Sequence, residues 1–427
     1  MVKVRFAPSP TGHLHIGGLR AALFNYYFAK QNNGKFIIRI EDTDASRNKQ
    51  EYTDAIIKAF QWCAITSDEP IQYQSQRSEI YEQYIQKLLA SGDAYYSEET
   101  DENGVTGTVI KCKVDKTKPH ISFHDIIRGE IIFPMSEIDD FIIVRSNGTP
   151  LYNFVVVVDD IEMQITHIIR GEEHLANTPK QIILYEAFKA TMPHVAHLPL
   201  ILGPDRKKLS KRDAATSVID YKTAGFLPEA LCMYLLRLGW SYGDQEIFTY
   251  EEILRYFKLE NVHHSGAIFD IQKLKSINNM FLKKISPHII LEEIKKLYHI
   301  VDNDAIAEAI IALYLPRAHT LQELAQYITI IIDGPQQYDF MLLQKHNLEE
   351  KTVATIANIL VNLLHTHKDL SIDQTLKDTQ LNQYDKPTLY TALRFALLGT
   401  TESPSILSIM NIMGRDLVTQ RLKAVQS

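Results

Sequence analysis

Two clusters of residues in this chain could do chemistry together. RFAPSPTGHLHIGG, residues 5–18, sets His13 and His15 two positions apart among Pro8, Pro10, Gly12, Gly17 and Gly18. It joins a strand-like VKVRFA to LRAALFNYYFAK, where Leu19, Ala22, Leu23, Tyr26 and Tyr27 recur on one helical face. A helix N-terminus offers free N–H groups and a positive dipole end to an anion, most naturally a phosphate. Glycines allow close backbone approach, prolines stiffen the turn, and the two histidines add donors. The stretch reads as a rigid nucleotide cradle; the plainer alternative is a tight turn with two surface histidines. The second cluster is RKKLSKR, residues 206–212, with five basic residues in seven after a Gly-Pro-Asp turn. Lys208 and Lys211, flanking Ser210, could hold a triphosphate and stabilise charge developing on leaving pyrophosphate. A solvated basic loop is the competing reading, weakened by the cradle in the same chain.

These clusters need a scaffold. Residues 1–92 alternate strand (2–6), helix (17–30), strand (36–42, FIIRIED), helix (51–62) and a helix over 77–92 that ends at Gly92. This rhythm predicts a doubly wound parallel sheet. Residues 93–150 turn polar, with short strands, and read as an insertion between the two halves of the sheet. LYNFVVVVDD (151–160) is nearly continuous in apolar residues and is expected as a strand buried on both faces. ITHIIRG continues as a strand, NTPKQIILYEAFKA as a helix with Pro179 in its first turn, and HLPLILG as a strand. From 219 the pattern is helical, and from 286 to 427 no strand is expected. The fold class is thus α/β: a Rossmann-type domain over 1–92 and 151–218, an inserted domain over 93–150, a helical region over 219–285, and an all-α C-terminal region.

Composition narrows the class. The 427 residues are 45% hydrophobic and 23% charged, with a net charge of −7. That charge disfavours a generally basic nucleic-acid binder, yet a local basic surface suffices for RNA. Cys63, Cys112 and Cys232 form no CxxC pair, which argues against a disulfide framework and fits a reducing compartment. No signal segment or spanning apolar run stands out, so a cytoplasmic location, away from membranes, is expected.

HIGG (15–18) and KLSKR (208–212) resemble the paired signatures of class I aminoacyl-tRNA synthetases. RFAPSPTGHLHIGG, RIEDTD (39–44), LYNFVVVVDD, RGEEHLANTPKQ (170–181), KLSKRD, LPEALCMYLLRLGWS, AIFDIQKL and LRFALLGT (393–400) follow, in order, the pattern of bacterial glutamyl-tRNA synthetases. Glutaminyl relatives typically carry PEPNG and a DDTN-like segment where this chain has PSPTG and EDTD. The resemblance implies a glutamate–tRNA ligase that uses ATP with Mg²⁺, L-glutamate and tRNA-Glu, with tRNA-Gln a second candidate acceptor. A monomer is expected. The insertion would bind the acceptor end, residues 219–285 the stem, and 286–427 the anticodon.

The resemblance also implies roles. His13, His15, Lys208 and Lys211 would be catalytic, and His15, Gly17, Gly18, Ser210 and Lys211 would meet ATP. Glutamate would be held by Arg5, Ala7, Ser9, Glu41, Tyr152, Val156, Arg170 and Glu173. Arg5 is the expected partner of the side-chain carboxylate, through a bidentate fork. Glu41 would take the ammonium, and Arg170 is a second carboxylate candidate. Asp42, Asp44, Arg47, His174 and Asn177 divide between structural and contact roles. Asp159 and Asp160 are favoured as structural rather than as metal ligands, and Trp62 and Trp240 as core. Arg394, Arg415, Arg421 and Lys423 could meet tRNA phosphates. Many bacterial members hold zinc through cysteines after a GxAY segment; GDAYYSEETDENG has none, so no zinc is expected. Two other readings compete: a tRNA-modifying, glutamyl-queuosine-type paralogue, and a non-catalytic tRNA-binding paralogue. The first lacks a helical C-terminal region, and the second would have lost its motifs.

Overall fold

The computed structural model describes residues 1–43, 48–100, 104–209, 217–300 and 303–425. Asp44, Arg47, Ser210 and Lys211 lie outside the described residues. The chain divides into two compact units, Met1–Tyr221 with Pro228–Leu274, and Lys222–Leu227 with Lys275–Ser427.

The first unit begins β1 (Lys3–Phe6), α1 (Ile16–Gln31), β2 (Lys35–Ile40), α2 (Gln50–Trp62), β3 (Gln72–Tyr73) and α3 (Ser78–Ser91). Gly92 ends α3 in the left-handed conformation, at φ 79°. Next come β4 (Ala94–Thr100), β5 (Thr106–Cys112), β6 (His120–Asp125), β7 (Gly129–Pro134) and β8 (Phe141–Val144). They are followed by α4 (Tyr152–Glu162), β9 (His167–Gly171), α5 (Thr178–Ala187) and β10 (His194–Leu198). The main sheet runs β3-β2-β1-β9-β10-β6-β7. All its neighbours are parallel except β6 and β7. The chain builds outward from β1 in both directions, so the strand order reverses between β1 and β9. In such sheets ligands bind beyond the carboxyl ends of the strands at that reversal.

The 93–150 segment serves two sheets. β4, β5 and β8 form a small antiparallel sheet of their own. β6 and β7 instead extend the main sheet, with Asp125 registered against Val195 of β10.

LYNFVVVVDD is not the expected strand. Tyr152–Glu162 forms α4, entered from an extended Leu151 whose N–H donates to the Ile143 carbonyl. Val155, Val156, Val157 and Val158 are all buried, in one core with Tyr81, Leu88, Phe141 and Leu184. A helix packed on every side shows no polar face, so its apolar run cannot be told from a strand by periodicity. Burial outweighs the modest helix reluctance of four valines. The helix also puts Tyr152, Val156 and Asp160 on one stripe, four residues apart.

The described part of the second unit is helical, including Leu321–Ile332, Glu350–Thr366, Lys386–Leu398 and Ile406–Ala424. Three of the arginines offered above for phosphates have local partners. Arg421 is buried and donates to the carbonyls of Ile330, Leu397 and Ile332, capping the end of a helix. Arg415 donates to the carbonyls of Leu364 and Leu370, and Arg394 Nε–H donates to Ser403 Oγ at 3.1 Å. Sequence cannot separate such a carbonyl-capping arginine from a phosphate-binding one.

Candidate active site

The cradle forms where β1 turns into α1. His15 is the N-cap of the helix, in extended backbone geometry, and its Nδ1 accepts the Gly18 N–H at 3.2 Å. Serine, threonine or aspartate is the usual residue there. With Nδ1 accepting, the neutral ring carries its proton on Nε2, facing away from the helix. Crowding by protein lowers the His15 pKa; Glu173 opposes this and Lys208 adds to it. Gly17 makes room for the ring and Gly18 for Leu14. A Cβ at Gly17 would lie 2.9 Å from the His15 ring, and one at Gly18 2.9 Å from Leu14. His13 is exposed, its ring centre 5.5 Å from that of Tyr52 and the two planes nearly perpendicular. Ala7 is half-buried and Ser9 exposed in the turn, which is tied to β2 by the Glu41 N–H donating to the Pro8 carbonyl at 2.9 Å.

Both described flanks of the basic cluster are anchored. Residues 203–207 form a tight turn, with the Gly203 N–H on the Lys207 carbonyl, and Lys208 bridges back to Leu202. On the far side Ser217 bridges to His15, and the Val218 N–H donates to the Leu14 carbonyl at 2.9 Å. Arg20 of α1 is buried and donates to the carbonyls of Leu238 and Pro199, tying the helix to the chain leaving β10. Lys208 itself is exposed and within electrostatic reach of His15.

A second group gathers at the carboxyl ends of β1, β2 and β9 and at the start of α4. Arg5, Glu41, Tyr152 and Arg170 all lie within electrostatic reach of one another. Arg5 is buried and donates through Nε to Asp160 at 3.1 Å. Glu41 accepts from Arg39 at 3.2 Å. Burial raises the Glu41 carboxyl pKa above its usual value, with Arg39 and Arg5 only partly opposing. Burial also raises the Tyr152 hydroxyl, and its oxygen lies 3.2 Å from His174 Nδ1. Val156 is buried one turn below Tyr152 and can offer only packing. Arg170 is buried, and its Nη1 has no partner among the described residues. Glu173 reaches back over Gly171, where a Cβ would lie 2.2 Å from its carboxylate, so a side chain there would displace Glu173. It lies within electrostatic reach of His15 and thus borders both groups.

Beneath this group lies a buried charge network that sequence reading only glimpsed. Asp160 accepts from Arg5 and, at 2.6 Å, from Arg39. Burial alone would raise the Asp160 carboxyl; the two guanidiniums outweigh it and hold the pKa below the usual value. Asp159 pairs with Arg77 at 2.7 Å and accepts from Gln74 and Tyr81. Both aspartates have arginine partners, in keeping with a structural role. Asp42 accepts from the Ser75 N–H and Oγ–H, and Asn177 begins α5 without a side-chain cap. Trp240 is fully buried. The support of Arg170 by His197 and Thr178, with Asp125 behind His197, was missed: Thr178 lies in the RGEEHLANTPKQ motif, but His197 and Asp125 come from other elements that no motif joins to it. Among the described residues no group of His, Cys, Asp and Glu is arranged to hold a metal ion. Cys112 is buried, which pushes its thiol pKa up to about 12.

Known proteins match along the whole chain. Residues 1–105 and 103–276 match the family "tRNA synthetases class I (E and Q), catalytic domain", and residues 280–426 match an anticodon binding domain. Glutamate–tRNA ligase 2 of Campylobacter curvus is 42% identical over 460 residues, covering 100% of this chain and 99% of its own. A glutamate–tRNA ligase of Coxiella burnetii is 40% identical over 455 residues, covering 99% and 97%. The crystal structure of a glutamate tRNA ligase from Elizabethkingia meningosepticum, in complex with its amino acid, superposes with a TM-score of 0.83. It is 30% identical and covers 100% of this chain and 99% of that one. No described helix is long and apolar enough to cross a membrane.

Proposed function

The chain belongs to the glutamate–tRNA ligases of class I, and on that premise we propose how its two residue groups divide the reaction. In the first step an α-carboxylate oxygen of L-glutamate attacks the α-phosphate of ATP, giving glutamyl-adenylate and pyrophosphate. In the second, a terminal ribose hydroxyl of tRNA attacks the activated carbonyl and releases AMP. No side chain has to act as nucleophile, so positioning and electrostatic stabilisation carry the rate.

The α1 N-terminus, with His13, His15, Gly17 and Gly18, takes the ATP phosphates. The outward Nε2–H of His15 is the donor there, supported by its Nδ1 contact to Gly18. Lys208, Ser210 and Lys211 meet the departing pyrophosphate, a reading supported by the bridge from Ser217 to His15 on one flank and by Lys208 within electrostatic reach of His15 on the other. Magnesium enters as the counter-ion of the phosphates, where it offsets their charge.

The second group takes the amino acid. One observation carries this: buried Arg170 keeps its Nη1 donor without a partner among the described residues, with buried Arg5 and the Glu41 carboxyl in electrostatic reach. Unpaired buried guanidinium donors are costly unless an anion meets them. Glutamate brings two carboxylates and an ammonium; glutamine brings one carboxylate fewer and would leave a guanidinium unmatched. Ala7, Ser9, Tyr152, Val156 and Glu173 complete the walls.

Residues 93–150 meet the acceptor end and 219–285 the stem, while the anticodon-binding domain reads the other end of the tRNA. Charging of purified tRNA-Glu and tRNA-Gln with labelled glutamate tests this. ATP-dependent charging of tRNA-Glu is expected, and its absence would refute the proposal. Charging of tRNA-Gln alongside would widen the acceptor range.

A further inference from the structure

Arg170 is gripped on two edges and open on a third. Its Nε–H donates to His197 Nε2 at 3.0 Å. Its Nη2–H donates to Thr178 Oγ1 at 2.9 Å and to the His174 carbonyl at 3.4 Å. Nη1 remains without a partner among the described residues. His197, on β10, is fully buried, with its Nδ1 2.6 Å from Asp125 Oδ2. Asp125 ends β6, the strand that the 93–150 segment adds to the main sheet. Its Oδ1 is held by the N–H groups of Ile127 and Arg128 at 3.0 and 2.9 Å.

We infer that Asp125 and His197 form a positioning relay: the aspartate sets the tautomer of His197, and the imidazole then holds Arg170 with its free Nη1 edge toward a carboxylate of the bound amino acid. This rests on the reading above that Arg170 meets glutamate.

The chemistry follows from what each group can donate. An ionised Asp125 can only accept, so the proton between it and His197 sits on Nδ1. The neutral ring then presents a lone pair at Nε2, the complement that the Arg170 Nε–H requires. Thr178 Oγ1, 3.3 Å from the same nitrogen, can donate to it while accepting from Arg170 Nη2. The opposite tautomer would set N–H against N–H in a buried site. A protonated ring would put a second cation against the guanidinium. Burial and Arg170 keep the His197 pKa low, with Arg128 adding and Asp125 opposing. A mere staple between β6 and β10 would need only the Asp125–His197 bond and would leave the Nε2 lone pair idle. The relay uses that lone pair on Arg170, and it spares only the one Arg170 edge that a ligand can use.

The test uses the full-length enzyme. Side-chain ¹⁵N NMR of the wild type should show His197 protonated on Nδ1 and bare on Nε2. Asp125→Asn can keep a carbonyl on the Ile127 and Arg128 N–H groups while turning its NH₂ toward Nδ1, which moves the imidazole proton to Nε2. In pyrophosphate exchange with tRNA present, that variant should raise the KM for glutamate roughly ten- to a hundred-fold. The KM for ATP should stay within about two-fold. His197→Gln, whose amide oxygen can reach the Nε2 position, should recover most of the affinity. His197→Asn, which can pair with Asp125 but not with Arg170, should not. Arg170→Ala separates the two layers of the idea. If it leaves the glutamate KM unchanged, the substrate role of Arg170 fails, and the relay with it. If Arg170→Ala raises that KM but Asp125→Asn and His197→Asn do not, only the relay is overturned. A proton found on Nε2 in the wild type overturns the relay however the variants fold.

Discussion

His15 Nδ1 accepts the Gly18 N–H at 3.2 Å, so one imidazole both caps α1 and turns its Nε2–H outward. The two jobs can be separated. His15→Asn keeps a capping oxygen and loses the outward donor. Its unfolding free energy should stay within about 0.5 kcal/mol of wild type. Its pyrophosphate-exchange rate should fall by about a hundred-fold or more, the scale of one lost donor to developing charge. His15→Ala should lose the same activity and roughly 1 kcal/mol of stability besides. Near-normal exchange in His15→Asn would remove His15 from the chemistry.

Acid should weaken the fold through buried imidazoles. Burial lowers the His167 pKa from 6.5 to about 4, with His194 adding to it. Burial likewise brings His174 to about 4, with Arg170 adding and Glu173 opposing. As pH drops below 6.5 the unfolded chain takes up these protons and the native state does not. The contribution is therefore full above pH 6.5, declines toward pH 4, and levels off below. Urea midpoints measured across this window should fall with pH. His167→Gln, which cannot titrate, should show a shallower fall. An equal slope in that variant would show that other groups drive the loss.

The network around Asp160 makes a different demand. Its carboxylate faces Arg5 and Arg39, and all three are buried. Removing it leaves two buried guanidiniums short of a counter-charge. Asp160→Ala should lower stability by about 3–5 kcal/mol. A loss under about 1 kcal/mol, read from urea unfolding, would mean that water reaches the arginines.

Much of this site was legible, for a physical reason. His15, Gly17 and Gly18 lie within one turn, where a Cβ would crowd the His15 ring at Gly17 and Leu14 at Gly18. Arg5 and Arg170 end their strands in recognisable patterns. The parallel sheet followed from the strand–helix rhythm. What escaped the sequence was burial and pairing. The valines of α4 are enclosed on all sides, so the run carried no helical period. Asp125, His197 and Thr178 meet only because β6 joins β10 and α5 begins beside β9. Arg421 resembles a phosphate ligand until its three carbonyl partners are seen.

Lys211 is expected to act on pyrophosphate rather than on tRNA. Lys211→Ala should slow adenylate formation by orders of magnitude, in line with loss of a charge aimed at a leaving group. Its affinity for tRNA, measured by filter binding, should be close to wild type. Normal single-turnover activation would move the role to Lys208 or elsewhere.

In the proposed reading the choice of glutamate rests on two buried arginines, Arg5 and Arg170, the latter with Nη1 unmatched among the described residues. The most direct measurement is the ratio of kcat/KM for glutamate over glutamine in tRNA-Glu charging, for wild type and Arg5→Ala. A wild-type ratio of about 10⁴ or more is expected, because the amide leaves buried donors unpaired. Arg5→Ala should raise the glutamate KM and compress that ratio by about a hundred-fold. A wild type that charges glutamine nearly as well as glutamate, or an Arg5→Ala enzyme with its discrimination intact, would contradict this assignment.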